Sequence, residues 1–141
     1  MIQVTCALII DQGKILVAQN NESSDHPFQW EFPGGKVKSG ETEKECVVRE
    51  IEEELNLTVE VVEALSPVEH DYKIKAIRLI PFVCLHVSGK IKLNDHNAVK
   101  WVTFDELDEL DLAEADKALI QMPENRDRLK EYTGEQMNQS R

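Results

Sequence analysis

Between Thr42 and Leu55 the chain sorts its apolar and acidic residues onto two sides of one helix, and no other stretch restricts the fold as tightly. Val47, Val48, Ile51 and Leu55 fall within roughly 100° of arc at helical pitch, forming a stripe that has to be buried. Thr42 can cap the start, with Glu45 three residues on in capping-box spacing. Asn56 follows the last turn, where a residue that tolerates a left-handed backbone is favoured. On the other side Glu50, Glu53 and Glu54 occupy positions i, i+3 and i+4 and share a face. Like charges at that spacing cost roughly a few tenths of a kcal/mol per pair. A solvated acidic helix surface is one account of them, and a cation site is the other.

A stripe of this kind needs a sheet to lie on. Val4 to Ile10 reads as a buried strand and Ile15 to Ala18 as a second, joined through the turn Asp11-Gln12-Gly13-Lys14. Asn20 to Pro27 is polar and reads as a loop. Thr58–Ala64, Ala76–Val87 and Ala98–Thr103 read as further strands, and Pro81 within Ala76–Val87 predicts an edge or a bulge. Asp105 to Leu110 reads as a short acidic helical turn, Ala113 to Met122 as an amphipathic helix and Asn125 to Tyr132 as a shorter one. This order predicts an α/β fold, a mixed sheet covered on both faces by helices. One domain is expected over residues 1–133, followed by a polar tail over 134–141.

Composition narrows the partners. The 141 residues suit one hydrophobic core. A net charge of −11 repels a nucleic-acid polymer, yet leaves room for a small polyphosphate bridged to acidic side chains by divalent cations. The apolar run from Val4 to Ile10 is too short to cross a bilayer and lacks the basic flank of a signal peptide, so the expected setting is cytoplasmic, without a membrane partner. Cys6, Cys46 and Cys84 have no metal-like spacing and read as small buried hydrophobes. His26, His70, His86 and His96 show no metal spacing, and the sequence assigns them no role.

The residues around the acidic face favour the cation site. Gly34-Gly35 precedes the helix in a turn where backbone can approach a ligand and offer a carbonyl. Glu41 adds a carboxylate at the helix entrance, and Arg49 borders the acidic face, where it can hold a glutamate in place. Hard cations such as Mg²⁺ take carboxylate and carbonyl oxygens together with retained waters.

From Gly35 the chain runs glycine, five residues, Glu41, seven residues, then Arg49-Glu50-Ile51-Glu52-Glu53-Glu54-Leu55-Asn56-Leu57. This resembles the Nudix box, G-x5-E-x7-R-E-U-x-E-E-x-G-U with U a bulky aliphatic residue. Eight of its nine defined positions match, the departure being Asn56 in place of glycine. The lead-in Trp30-Glu31-Phe32-Pro33-Gly34-Gly35-Lys36 resembles the MutT-like branch, which hydrolyses nucleoside triphosphates. Asp95, six residues before Trp101, stands where that branch carries a further acidic ligand, and Leu112-Ala113-Glu114-Ala115-Asp116 resembles its base-contacting segment.

The resemblance implies an α/β/α sandwich and attack of water on phosphorus, releasing a nucleoside monophosphate and pyrophosphate. It implies Mg²⁺, with Mn²⁺ as the alternative, on Glu50, Glu53, Glu54, the Gly34 carbonyl and Asp95. Glu53 or Glu50 is the expected general base, oriented by Arg49. Glu41 is read equally as a weaker ligand or a helix-start partner. Lys36 and Lys75 are candidates for phosphate oxygens, although Asn20 replaces an arginine that contacts phosphate in MutT-like members. Phe28 and Trp30 are stacking candidates, with a core position an equal reading for Trp30, and Cys46 is read as packing.

Asp116 is either a base-pocket residue or a solvated helix start. Ionised, it would accept from guanine N1–H and N2–H₂, whereas cytosine or adenine would call for a protonated aspartate. The leading substrate is an oxidised or modified nucleoside triphosphate of the 8-oxo-dGTP type, in a nucleotide-sanitising enzyme. The alternatives are a cytidine-type triphosphate, another nucleoside diphosphate derivative, or a non-catalytic nucleotide-binding module. The expected assembly is a monomer or homodimer.

Overall fold

A computed structural model describes residues 1–134; beyond Gly134, the expected polar tail lies outside the described residues. In chain order the strands are β1 (Ile2–Asp11), β2 (Lys14–Gln19), β3 (Trp30–Glu31), β4 (Gly34–Lys36), β5 (Thr58–Ala64), β6 (Val68–Asp71), β7 (Ala76–Ser88) and β8 (Ala98–Val102). The helices are α1 (Glu43–Leu55), α2 (Phe104–Leu107), α3 (Glu114–Gln121) and α4 (Pro123–Tyr132). Strands β3, β4 and β6 were not expected from the sequence. They are two to four residues long, too short to set up an alternating pattern.

The spine of the mixed sheet is a parallel pair, β1 with β7, in register from Ile2↔Ile77 to Ile10↔Leu85. All other pairings are antiparallel. Period-two alternation along β1 divides the core. Cys6, Leu8 and Ile10 face Leu119, Ile120 and Leu129 of α3 and α4, while Ala7 and Ile9 face Val47, Ile51 and Leu55 of α1. The result is the expected α/β/α sandwich. None of the helices among the described residues is long and apolar enough to cross a membrane.

Two local features shape the site. β1 and β2 pair at their hairpin end, where Gln12 and Gly13 both have positive φ, 50° and 76°, as a type I′ turn demands. Away from that turn the two part company, β1 pairing with β4 and β2 with β3 and β8. Pro81 is not on an edge, because β7 has neighbours on both sides. It falls at the break between β5, which ends opposite Phe82, and β6, which starts opposite Leu79. A proline there costs no ladder bond on that side, and its carbonyl accepts from Leu65 N–H at 3.0 Å.

Helix α1 starts and stops as its sequence predicts. Both halves of the Thr42–Glu45 capping box form, and Asn56 is left-handed at φ 60°, ψ 30°. The Asn56 amide also donates to the Lys90 carbonyl at 3.2 Å. Asn56→Ala is expected to lower stability by about 1 kcal/mol in urea unfolding, since it puts an unassisted Cβ at positive φ. Asn56→Gly should stay within about 0.5 kcal/mol of the parent, because glycine trades the lost amide bond for a relaxed backbone.

Candidate active site

Helix α1 and the short strand β4 meet at close quarters. A Cβ on Gly34 would collide with the Thr5 carbonyl of β1, and one on Gly35 would collide with the Glu50 carboxylate. Gly34 is therefore demanded by backbone contact, while at Gly35 the Glu50 carboxylate lies directly over the bare Cα and a side chain there would have to displace it. Thr5 Oγ1 donates to the Gly35 carbonyl at 3.3 Å, and the Cys46 thiol lies 3.2 Å from Thr5 Oγ1. Cys46 is buried, as expected, and also bonds the carbonyls of Gly35 and Lys36.

Arg49 is the hub of the acidic face. Its Nε and Nη2 grip Glu41 at 2.9 and 2.7 Å, and its Nη1 reaches Glu50 at 2.7 Å and Glu53 at 3.0 Å. It also donates to the Lys36 carbonyl. The expected orienting role thus extends over three carboxylates. Glu41 is not the helix cap, a place taken by Thr42 and Glu45. It braces the entry loop by accepting from Lys38 N–H at 2.8 Å, and the Arg49 guanidinium holds its carboxyl down at about 2.

Glu54 differs from its neighbours. Its carboxyl accepts from Gly34 N–H at 3.3 Å, yet burial, and then the charges of Glu31, Glu50 and Asp95, push it up to about 9. Asp95 itself is exposed, in a loop stitched to its surroundings by Asn21, which donates to the Asp95 carbonyl, and Asn94, which donates to the Glu53 carbonyl. Among the described residues no three acidic, histidine or cysteine side chains already converge as a closed metal cage. The physical reason is Arg49, which draws Glu50 and Glu53 toward itself. The donor set is nevertheless all oxygen and short of positive charge around Glu54, which fits a hard divalent cation.

Beside this face, on the α3 side of the sheet, opens a cavity of about 220 Å³. Gly34 and Gly35 form the boundary between the two. Val4, Cys6, Ile77 and Leu79 give the cavity apolar walls, and Glu31 and Asp116 give it carboxylates. Asp116 is drawn in by a parallel bridge between Trp30 and Leu112, with Trp30 N–H on the Asp111 carbonyl and Ala113 N–H on the Trp30 carbonyl, both at 2.9 Å. Its Oδ2 accepts from Phe32 N–H at 2.8 Å. The solvated-helix-start reading of Asp116 is therefore wrong: the side chain is buried, and burial followed by the Glu31 charge raises its carboxyl well above the ordinary range.

The other sequence candidates divide. Lys36 and Lys75 both line the cavity, and Lys75 is paired with Asp25 at 3.1 Å. Phe28 is outside it: at φ 62° its loop turns the ring into solvent, 53% exposed. Trp30 packs on the core with the Lys100 ammonium 4.6 Å over its ring. The aromatic groups that do line the cavity are Phe32, His26 and Tyr72, and the rings of the last two meet at a 46° tilt with centroids 4.4 Å apart. Sequence reasoning missed His26 and Tyr72, along with Glu31 and His96. They come from separate loops and strands, and no spacing could have joined them.

The sequence of residues 1–122 matches the family model described as the NUDIX domain. The chain belongs to the Nudix family. It is 34% identical over 121 residues to the CTP pyrophosphohydrolase of Escherichia coli K12, covering 86% of this chain and 90% of that one. It is also 34% identical over 118 residues to the putative 8-oxo-dGTP diphosphatase 2 of Mycobacterium tuberculosis H37Rv, covering 83% of this chain and 84% of that one. The solution structure of the E. coli ORF135 protein superposes with a TM-score of 0.77 at 34% identity over 86% of each chain. As a Nudix hydrolase of the MutT-like kind, the protein is a pyrophosphohydrolase of nucleotide substrates.

Glu54 sets a pH signature for the metal-free protein. The folded chain keeps a proton up to about 9 that the unfolded chain loses near 4.5, so this stabilisation is complete below 4.5 and is lost as pH rises through about 9. Thermal melts in EDTA should show stability falling across that interval, and saturating Mg²⁺ should reduce the fall. Glu54→Gln should reduce it without metal, leaving the part of the same sign that buried Asp116 contributes; an EDTA profile unchanged by that substitution would contradict the assignment.

Proposed function

We propose that the protein is a Mg²⁺-dependent enzyme, with Mn²⁺ as the alternative ion, that hydrolyses a nucleoside triphosphate to the monophosphate and pyrophosphate. The observation that carries this reading is the junction at Gly34-Gly35, where an acidic helix face adjoins a cavity ending in two carboxylates. The cavity is smaller than ordinary ligand pockets of about 300–1,000 Å³ and suits a base alone. The triphosphate then lies outside it, along α1.

Glu50, Glu53 and Glu54 would hold the ion, with the Gly34 carbonyl and Asp95. When bound, it supplies charge neutralisation on the phosphate oxygens and makes water easier to deprotonate near neutral pH. Glu53 or Glu50 takes the proton from the attacking water. Arg49 keeps both carboxylates aimed before substrate arrives, and Glu41 keeps Arg49 aimed in turn. Lys36, at the cavity mouth, pairs with phosphate; Lys75 can do so only by exchanging Asp25 for it.

Base selection falls to Asp116. A neutral carboxyl offers a donor beside an acceptor, which suits the N4 amino group and N3 of cytosine and does not suit the paired N1–H and N2–H₂ donors of guanine. A cytidine-type triphosphate is therefore the first substrate reading, in keeping with the E. coli relative named for CTP. An oxidised guanine triphosphate, recognised through N1–H and O6 in a nucleotide-sanitising role, is the second, in keeping with the Mycobacterium tuberculosis relative named for 8-oxo-dGTP.

Pyrophosphate release from CTP, dCTP, dGTP and 8-oxo-dGTP with Mg²⁺ tests the reading. Glu53→Gln should cost about 10²-fold or more in kcat. Asp116→Asn should keep the base preference, since an amide reproduces a neutral carboxyl, whereas Asp116→Ala should erase it. A changed preference in Asp116→Asn would mean that the aspartate works ionised.

A further inference from the structure

Glu31 is the carboxylate nearest to being shared by the two halves of the site. It lines the cavity together with Asp116, and its charge also acts on Glu54 of the acidic face. Two side chains hold it. Asn20 Nδ2 donates to Glu31 Oε1 at 3.2 Å, and His96 Nε2 lies 3.0 Å from Glu31 Oε2. Each comes from a different loop: Asn20 follows the end of β2, and His96 follows Asp95 just before β8. Both are buried, Asn20 to 6% exposure and the His96 side chain to 5%.

Neither residue has an evident alternative task. Asn20 stands where MutT-like members carry a phosphate-contacting arginine, but here it turns inward to a carboxylate. Its backbone closes the 20–29 loop through Gln29 and Phe28. His96 is more telling, because its Nδ1 is the one buried side-chain nitrogen or oxygen among the described residues without any hydrogen-bond partner. An orphaned buried nitrogen is costly. A buried imidazole that accepts this cost for the sake of its other nitrogen is fixed in place by that single bond to Glu31.

We propose that Asn20 and His96 are positioning residues that clamp the Glu31 carboxylate as a fixed acceptor on the cavity wall, facing a neutral N–H or O–H donor of the bound nucleoside. This rests on the nucleotide reading above. With one oxygen committed to each clamp residue, the carboxylate cannot swing toward Glu54 or Asp116, and its free lone pairs keep one direction. The donor is either an exocyclic amino group or a sugar hydroxyl. Both present the same chemistry to a carboxylate, and substrate pairs separate them.

The test is a double-substitution cycle between position 96 and position 31, read in KM and kcat separately on the nucleotide the enzyme prefers. His96→Leu should raise KM about tenfold with kcat changed less than threefold, and His96→Gln, whose Nε2 can replace the imidazole Nε2, should recover most of the loss. In a Glu31→Gln background His96→Leu should add almost nothing, because the group it positions is gone. Comparing CTP with UTP, and ribo- with deoxy- and dideoxynucleotides, then shows which donor loses its preference. Effects that add independently, or a His96→Gln variant as poor as His96→Leu, would overturn the clamp.

A second measurement does not depend on turnover. Nitrogen-15 shifts of the His96 imidazole should show the proton on Nε2 and a bare Nδ1, and Glu31→Gln should move the Nε2 resonance. A protein that cleaves no nucleotide yet shows this signature would refute the nucleotide reading and keep the clamp geometry. One that turns over normally with Nδ1 protonated would do the reverse.

Discussion

The close approach of Gly34 to the Thr5 backbone is the constraint on which the rest depends. It seats β4 against β1 with no room for a side chain, and so sets where the turn before α1 begins. Next to it, the bare Cα of Gly35 leaves the space over β4 that the Glu50 carboxylate occupies. Above that junction, a single guanidinium balances Glu41, Glu50 and Glu53. Folding thus leaves most of the acidic face compensated by Arg49, and leaves Glu54 buried without a cationic partner, so that it holds a proton until a cation takes its place.

Much of this was legible in the sequence. The helix with its two faces, its capping box and its left-handed Asn56 could be read residue by residue, because each rests on local periodicity or on a backbone preference. The long strands were legible for the same reason. The spacing from Gly35 to Leu57 carried the family and, with it, the layered fold.

What the sequence hid was assembled from far apart. The cavity draws on β1, β3, β4, β7, the 20–29 loop and α3, and its carboxylates are 85 residues apart in the chain, at Glu31 and Asp116. Asp116 could be aligned with a base-contacting segment, but its burial, which decides its protonation, follows from the Trp30–Leu112 bridge. Phe28 failed as a stacking candidate because its left-handed backbone points the ring away. His96 carried no spacing at all, and only its buried, half-satisfied ring marks it.

The position of Pro81 has a consequence for how such a chain can change. Because β5 and β6 meet β7 on either side of that residue, β6 and the turn that joins it to β7 form a flap of their own on the edge of the β1–β7 spine. Ser66, where the flap begins, is pinned to α4 by Asn125 through a pair of bonds at 2.9 Å. Its far end carries Tyr72 and Lys75 to the cavity, with Ile74 almost wholly in water. Lengthening or redrawing that tip would leave the β1–β7 register and helix α1 untouched. The tip can therefore reshape the rim of the cavity while Glu31, Asp116 and the acidic face stay where they are.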